Sequence, residues 1–177
     1  MVALRCTRRL LTRLRADPPS DEIAPSGKLG DWYANVVATR PRTLALCTNE
    51  RTLLSVVVRT APGATFLDRF RAAAQARIRQ IPVPASLRLA EIGALSDLRL
   101  QRTCSRSVLA SMNQLGFSAE GWLQDRPNGD LDELGLWLSD TPCFALTTTW
   151  PWREAVLLLT GVRPPEIGIL TLAGDGM

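Results

Sequence analysis

The sequence predicts an α+β protein in which a small antiparallel sheet of three to four strands packs against four to five helices. Between residues 31 and 60, β-branched and apolar residues form three short runs separated by "RPR" and "TNERT", which is typical of consecutive antiparallel strands. Apolar residues at helical spacing dominate the second half of the chain. Because strands and helices do not alternate strictly, the order indicates an α+β class rather than repeated βαβ units.

In the first third, "VALRCT" predicts a short strand and "RRLLTRLR" a helix with leucines on one side. Residues 16–30 hold three prolines and two glycines, which predicts a long connecting loop over residues 16–29. The runs "DWYANVVATR", "TLALCT" and "LLSVVVR" predict the three consecutive strands.

The next helix is predicted to begin at Thr65 and to end before the paired prolines at 82 and 84. The segment that follows is ambiguous, since "ASLRLAEIGAL" fits a helix whereas "DLRLQRT" alternates like a strand. "SRSVLASMNQLG" predicts a helix with Ser105 as N-cap and Gly116 just past its end.

A short helix is predicted after the turn at 127–129, and a last helix begins with Pro151 in its first turn. Residues 164–177 are predicted to be an irregular tail. The length of 177 residues favours a single domain spanning 1–177.

Composition excludes several chemistries. The chain has no histidine, so imidazole acid–base work and Ser-His-Asp or Cys-His catalysis are excluded. The four cysteines, Cys6, Cys47, Cys104 and Cys143, have no paired spacing, so we expect neither a zinc site nor a disulfide framework, and no cofactor. No apolar run reaches membrane-spanning length and no secretory signal is recognised, so we expect a cytoplasmic protein.

Charge is distributed unevenly along the chain. Residues 1–110 carry 18 basic and 8 acidic side chains, whereas residues 111–177 carry 3 and 9. Twenty of the 21 basic residues are arginine. The asymmetry indicates an anionic partner for the first part, unless the acidic part folds against it and neutralises it. The Arg-rich N-terminal part is therefore either a solvated basic face or the contact surface for a nucleic-acid or protein partner, and no membrane partner is expected.

The strand that begins at Trp32 carries unexpected polar residues. Its alternation places Trp32 on one face and Asn35 on the other, and both faces are largely apolar, so we expect the strand to be covered on both sides. Asn35 is then either a hydrogen-bonded structural amide or a ligand contact. Asp31, directly after Gly30, is either a turn acceptor or an ionisable site residue.

On the helix after residue 104, Arg106, Ala110 and Asn113 form one strip. Arg106 near the helix N-terminus predicts either binding of a phosphate or carboxylate, or an ion pair with an internal acid such as Asp31 or Glu50.

Four segments, "LRCTRRLL", "LGDWYANVVATRPR", "LCTNERTLLSVVV" and "RSVLASMNQL", together resemble an uncharacterised bacterial domain-of-unknown-function family whose members carry CTxxLL…LGDWYAN…NERTL…RSVLGSMN. Ala110 and Gln114 depart from that pattern. The resemblance implies a shared structural or binding feature and a weak link to mobile elements or defence. The candidate binding residues are Asp31, Trp32, Asn35, Arg40, Asn49, Arg106, Ser107 and Asn113.

These observations favour a non-enzymatic binding or regulatory module, with nucleic acid or a protein as its partner. The alternative is an enzyme that acts on an anionic small molecule without histidine or zinc. In that case Arg106 and Asn113 would hold the anion and Asp31 would be the ionisable group.

Overall fold

The fold was analysed in a computed structural model, which describes residues 1–19, 24–38 and 43–165. The strands are β1 (Val2–Cys6), β2 (Trp32–Ala38), β3 (Thr43–Asn49), β4 (Ser55–Arg59) and β5 (Leu98–Arg102). The helices are α1 (Arg8–Leu14), α2 (Phe66–Arg79), α3 (Ala85–Ala94), α4 (Arg106–Asp125), α5 (Leu131–Ser139) and α6 (Pro151–Thr160). A short 3-10 turn at Gly63–Thr65 leads into α2.

The sheet has five strands in the order β4-β3-β2-β1-β5. Strands β2, β3 and β4 pair antiparallel, whereas β1 pairs parallel with both β2 and β5. The predicted α+β class is confirmed. The antiparallel sheet of three to four strands is wrong, because the sheet is mixed and has five strands, and the described residues form six helices rather than four to five. Parallel strands are joined by long crossovers rather than tight turns, so no turn motif in the sequence predicts their pairing.

Alternation along β2 assigns its side chains to two cores. Trp32 and Ala34 pack among residues of α1, α2 and α6 on one face of the sheet. Tyr33 and Val37 pack among residues of α4 and α5 on the other face. The prediction that this strand is covered on both sides is therefore confirmed.

The fourth helix is longer than its sequence signals predict. Ser105 is the N-cap as expected, its hydroxyl accepting a hydrogen bond from the Val108 N–H at 3.4 Å. Gly116 does not end the helix, which continues to Asp125. The apolar face continues through the buried Ala119 and beyond, so packing against the sheet outweighs the glycine signal.

The ambiguous segment before this helix contains both predicted elements, α3 followed by β5. Glu91 of α3 then anchors the loop before β2. Its carboxylate accepts hydrogen bonds from the Lys28 N–H at 2.8 Å and the Leu29 N–H at 3.1 Å. The described parts of the predicted loop, 16–19 and 24–29, contain no helix or strand. The single-domain assignment and the irregular tail at 164–177 stay predictions, because residues 166–177 lie outside the described part of the chain.

The outer edge of β4 is closed by α2 and α5. Arg77 of α2 is 2% exposed and donates to the Asp132 backbone carbonyl at 2.8 Å and to the Asp132 carboxylate at 3.0 Å. It also donates to Gln80 Oε1 at 2.6 Å. Gly135 lets α5 approach β4, since a Cβ there would lie 3.1 Å from the Ser55 carbonyl oxygen. Ser139 of α5 also accepts from the Ser55 N–H at 3.0 Å and donates to the Ser55 carbonyl at 3.2 Å, which covers backbone groups that an edge strand would otherwise expose.

Candidate functional site

The carboxyl ends of the parallel strands form an open region of the molecule. From β1 the chain enters α1, whose Leu10 packs in the core that contains Trp32. From β5 it enters α4, whose Met112 packs in the core on the opposite face. Where helices after adjacent parallel strands leave toward opposite faces, a crevice opens at the carboxyl ends of those strands, which is the usual ligand position in open α/β sheets.

A cleft of about 700 Å³ lies at this point, and we name it the arginine cleft. Its lining residues come from β1, α1, the loop after α1, and β5 with the residue after it: Cys6, Arg8, Leu11, Thr12, Arg15, Ala16, Asp17, Arg102 and Thr103. Three of these residues are arginines and one is an aspartate. Arg102 donates to the Asp17 carboxylate at 2.8 Å, and both side chains are mostly exposed. The cleft therefore carries excess positive charge that is open to solvent.

The arginines of the N-terminal segment divide into two groups. Arg5 and Arg13 serve the fold: Arg5 pairs with Asp31, and Arg13 donates to the Thr60 hydroxyl at 3.2 Å and the Thr43 hydroxyl at 2.7 Å. Arg8, Arg9 and Arg15 are exposed and form no ion pair with any described residue. The second group is open to solvent.

Direct pairing does little to neutralise the basic part of the chain. Among the described residues, a single ion pair, Arg77–Asp132, joins the basic first part to the acidic second part. The other described pairs lie within residues 1–110. Close ion pairs therefore supply little of the neutralisation by the acidic part that one interpretation of the charge asymmetry requires.

A row of polar side chains crosses the sheet beneath α4 and α5. The strand register places five buried residues at equivalent positions on the same face: Gln101, Arg5, Tyr33, Thr48 and Ser55. At its centre, Asp31 Oδ2 accepts from Arg5 Nε at 2.9 Å, and Asp31 Oδ1 accepts from the Ala3 N–H at 2.9 Å. Burial opposes the charge on Arg5, but the Asp31 carboxylate outweighs it, so the pKa of Arg5 is raised.

Beside this ion pair, the Tyr33 hydroxyl lies 3.1 Å from the thiol of Cys104. Burial, followed by this hydrogen bond, raises the pKa of Tyr33, so the phenol stays protonated at neutral pH. Cys104 is exposed, whereas Cys6 and Cys47 are buried. Burial raises the pKa of the Cys6 thiol to about 12 and that of Cys47 well above its ordinary value. These two thiols are core residues rather than nucleophiles.

A second, smaller cleft of about 300 Å³ lies between β2 and α4, and we name it the amide cleft. It is lined by Arg9, Asn35, Val36, Val37, Leu46, Met112, Asn113, Gly116, Phe117 and Glu120. Asn35 Oδ1 accepts from the Thr7 hydroxyl at 3.0 Å and from the Val36 N–H at 2.8 Å. Asn35 and Asn113, two of the predicted site residues, therefore do share one cleft.

Three other predicted site residues lie in the interior. Asp31, Trp32 and Asn49 are at most 1% exposed. Asn49 Nδ2 donates to the carbonyls of Leu29 and Asp31, and its Oδ1 accepts from the backbone N–H groups of residues 51 and 52. These side chains are committed to the fold in the structure, and their role in binding stays a prediction.

Arg106 and Ser107 lie in the first turn of α4 and are exposed. Arg106 forms no ion pair with any described residue, and the two acids proposed for it have other partners. Asp31 pairs with Arg5, and the Glu50 carboxylate accepts from the Asp31 N–H at 3.0 Å. Arg106 does not line the amide cleft. Arg40 lies outside the described residues.

The sequence does not indicate that the residues lining each of the two clefts come together. Arg102 is distant in sequence from Arg8 and Arg15, and Phe117 and Glu120 lie beyond the predicted end of their helix. The only local signal was the arginine density of α1. The rest depends on the parallel pairing of β1 with β5 and on the extension of α4 past Gly116.

The described residues contain no cluster of potential metal ligands. None of the described helices combines the length and apolar character needed to cross a bilayer.

The described residues form a mixed five-stranded sheet with helices on both faces and a cleft at the carboxyl ends of β1 and β5. Residues 3–154 match the model of DUF6933, a domain of unknown function, and the chain belongs to that family. The predicted membership in an uncharacterised family is thereby confirmed, while the particular motif series stays a prediction. No curated protein matches the sequence.

Proposed function

We propose that this protein is a non-enzymatic binding module that takes a phosphate-bearing partner, nucleic acid, at the arginine cleft. The observation that carries the proposal is the grouping of Arg8, Arg15 and Arg102 around one open cleft at the carboxyl ends of β1 and β5. Clustered guanidinium groups bind phosphate oxygens through forked, charge-assisted hydrogen bonds.

The size of the cleft supports a polymer rather than a small ion. A volume of about 700 Å³ exceeds what a single phosphate fills, and the lining arginines come from the beginning of α1, the residue after α1 and the end of β5. Net positive charge on residues 1–110 extends attraction beyond the cleft itself. A nucleic-acid backbone satisfies both features, because it presents phosphates at regular intervals.

The enzymatic alternative has less support. It assigns Asp31 as the ionisable group, but this carboxylate is 1% exposed and is held by Arg5 and by the Ala3 N–H. A general acid or base must reach the proton that it transfers. Asp31 lacks that access.

Cytoplasmic localisation and a bacterial mobile-element or defence context are also part of this proposal. Four free thiols, two of them buried, are consistent with a reducing compartment. An adjacent transposase, toxin or defence gene would support the context, whereas a conserved neighbouring metabolic operon would contradict it.

The proposal is tested by fluorescence anisotropy with labelled single-stranded and duplex DNA and RNA, titrated at several salt concentrations. We expect micromolar binding that weakens steeply with salt, with a slope that falls by roughly 0.7 for each phosphate contact removed from a single strand. Arg8→Ala and Arg102→Ala should each weaken binding and flatten the slope.

Arg79→Ala is the matched control, since Arg79 is an exposed arginine at the end of α2 that does not line the cleft. It should bind as the wild type does. Absence of binding to every probe at 50 mM salt would refute the proposal, and so would equal losses in Arg79→Ala and Arg8→Ala.

A further inference from the structure

The two clefts are lined by neighbouring residues at the beginning of α1. Consecutive residues of its first turn face different clefts, because Arg8 lines the arginine cleft and Arg9 lines the amide cleft. Thr7, the residue before them, donates its hydroxyl hydrogen bond to Asn35 of the amide cleft. A ligand that contacts Arg8 in the first cleft is therefore one residue along the chain from the second cleft.

The amide cleft has the composition of a site for a flat, polar ring. Its floor is apolar, with Leu46 and Met112 both 1% exposed. At its rim the Phe117 ring is 79% exposed, which is unusual for an aromatic side chain with no described partner. An exposed aromatic ring beside a polar cleft is a stacking platform for an unpaired base.

Its polar groups have hydrogen-bonding capacity to spare. Asn35 Oδ1 is occupied, but Asn35 Nδ2 donates to no described residue. Asn113 is exposed, and its side chain forms no hydrogen bond within the described part of the chain. Carboxamides that retain donors and an acceptor can read the edge of a base.

Opposite charges also line this cleft without pairing. Arg9 and Glu120 both face it, and no ion pair joins them among the described residues. A ligand between them would meet a guanidinium donor on one side and a carboxylate acceptor on the other. Guanine matches this arrangement, since its edge carries two adjacent N–H donors for a carboxylate and a carbonyl acceptor for a donor group.

We propose that the amide cleft receives one unpaired guanine base of a single-stranded nucleic acid whose backbone lies in the arginine cleft. Phe117 stacks on the base, Glu120 accepts from its two N–H donors, and Asn35 or Asn113 donates to its carbonyl oxygen. The inference rests on the proposed function, because the arginine cleft positions the strand. A base inside a duplex does not reach this cleft, so the partner is single-stranded.

The experiment uses labelled twelve-nucleotide thymidine strands that carry one central guanine, adenine or abasic position. We expect the wild type to bind the guanine strand roughly 5- to 100-fold more tightly than the abasic strand, which is the range that one stacked base supplies. Phe117→Ala should remove that difference. Glu120→Gln should remove the preference for guanine over adenine while binding to the adenine strand persists.

Phe144→Ala is the matched control, because Phe144 is 90% exposed and lies outside the amide cleft. It should retain the full guanine preference. Equal wild-type binding of guanine and abasic strands would overturn the inference, and so would an unchanged preference in Phe117→Ala. Free guanosine monophosphate that binds as tightly as the strand would also overturn it, since the ligand would then be a nucleotide.

Failure of this inference is distinguishable from failure of the proposed function. If Arg8→Ala weakens binding of all three strands alike while Phe117→Ala changes none, the arginine cleft binds nucleic acid and the guanine site is wrong. If the wild type binds no strand, both are wrong. All variants replace exposed or half-exposed side chains, and thermal melting by circular dichroism verifies that each is folded.

Discussion

Arginine has different roles at the β4 edge of the sheet and at the carboxyl ends of β1 and β5. At the β4 edge, Arg77 is buried and donates to Asp132 and Gln80. At the carboxyl ends of β1 and β5, Arg8 and Arg15 are exposed in an open cleft and have no described ion-pair partner. The comparison shows that the packing of the neighbouring helices decides an arginine's role. At β4 two helices close over the edge, whereas at β1 and β5 two helices diverge.

The largest expected effect is on the buried pair at the centre of the sheet. Asp31→Ala leaves Arg5 in the interior without its carboxylate and leaves the Ala3 N–H without an acceptor. Breaking a buried pair by removing one partner costs about 3 to 5 kcal/mol of unfolding free energy. Urea denaturation measures this loss.

Asp68→Ala is the control for that variant, because its ion pair with Arg71 is largely exposed and contributes only about 0 to 1 kcal/mol. A loss below about 1 kcal/mol in Asp31→Ala would mean that the Arg5–Asp31 pair is not needed for the fold.

The next largest effect tests the comparison itself. Arg77→Ala removes hydrogen bonds to Asp132 and Gln80 and leaves a cavity between α2 and α5. We expect a loss of about 2 to 4 kcal/mol in urea unfolding. Arg8→Ala should change stability by less than about 0.5 kcal/mol, since its side chain is exposed.

Arg77→Met separates packing from charge, because methionine keeps much of the arginine stem but none of its donors. It should lose less stability than Arg77→Ala. Equal losses in Arg77→Ala and Arg8→Ala would contradict the division between structural and available arginines.

A smaller effect concerns how closely α5 approaches the sheet. In Gly135→Ala, the added Cβ would lie 3.1 Å from the Ser55 carbonyl oxygen and 3.2 Å from Val56 Cα. Because these are backbone atoms, α5 must shift, and we expect a net loss of about 1 kcal/mol after the gain in helix propensity.

Gly121→Ala is the matched helical control, since nothing lies within 4 Å of a Cβ at that position in α4. Its thermal melting temperature should rise, by the equivalent of about 0.5 to 1 kcal/mol. A rise in both variants would show that α5 does not press on β4.

The smallest effect is a change in pH dependence. Asp140, next to the end of α5, accepts a hydrogen bond from Trp152 Nε1 at 3.0 Å, yet burial raises the pKa of its carboxyl above the ordinary value. Between the unfolded pKa and this higher folded value, the native state binds more protons than the unfolded chain. Its contribution to stability therefore falls as pH rises through that window.

Asp140→Asn keeps an acceptor for Trp152 and removes the titration. The urea midpoint of the variant relative to that of the wild type should be higher at pH 7 than at pH 4. A difference that stays constant between the two pH values would contradict the raised pKa.

Several features could be predicted from local sequence because local sequence determines them physically. The alternation of Trp32 and Tyr33 between two apolar faces follows from the pleat of any strand, and it placed both cores correctly. Ser105 as a helix N-cap follows from the unpaired N–H groups of a first turn. The alternation in residues 98–102 also indicates a strand, but it does not indicate that this strand pairs with β1.

Other features could not be predicted because they depend on competition between distant segments. Gly116 is a residue type that often follows the end of a helix, but α4 continues past it because Ala119 and Trp122 are buried against the sheet. The sequence predicts that Asp31 accepts hydrogen bonds within a local turn, whereas its ion-pair partner, Arg5, lies on the neighbouring parallel strand. Such hydrogen bonds join residues that are far apart in the sequence, so no local pattern predicts that they are close in space.

By itself, the sequence determined which chemistries are excluded, which segments fold as strands and helices, and which faces of those elements are apolar. These properties depend on residue type and on periods of two or 3.6 residues. Only the tertiary structure decided that β1 lies between β2 and β5 and that Arg8, Arg15 and Arg102 share one cleft. The physical reason is that parallel strand pairing and the direction in which each helix leaves the sheet are set by global packing, which no local pattern encodes.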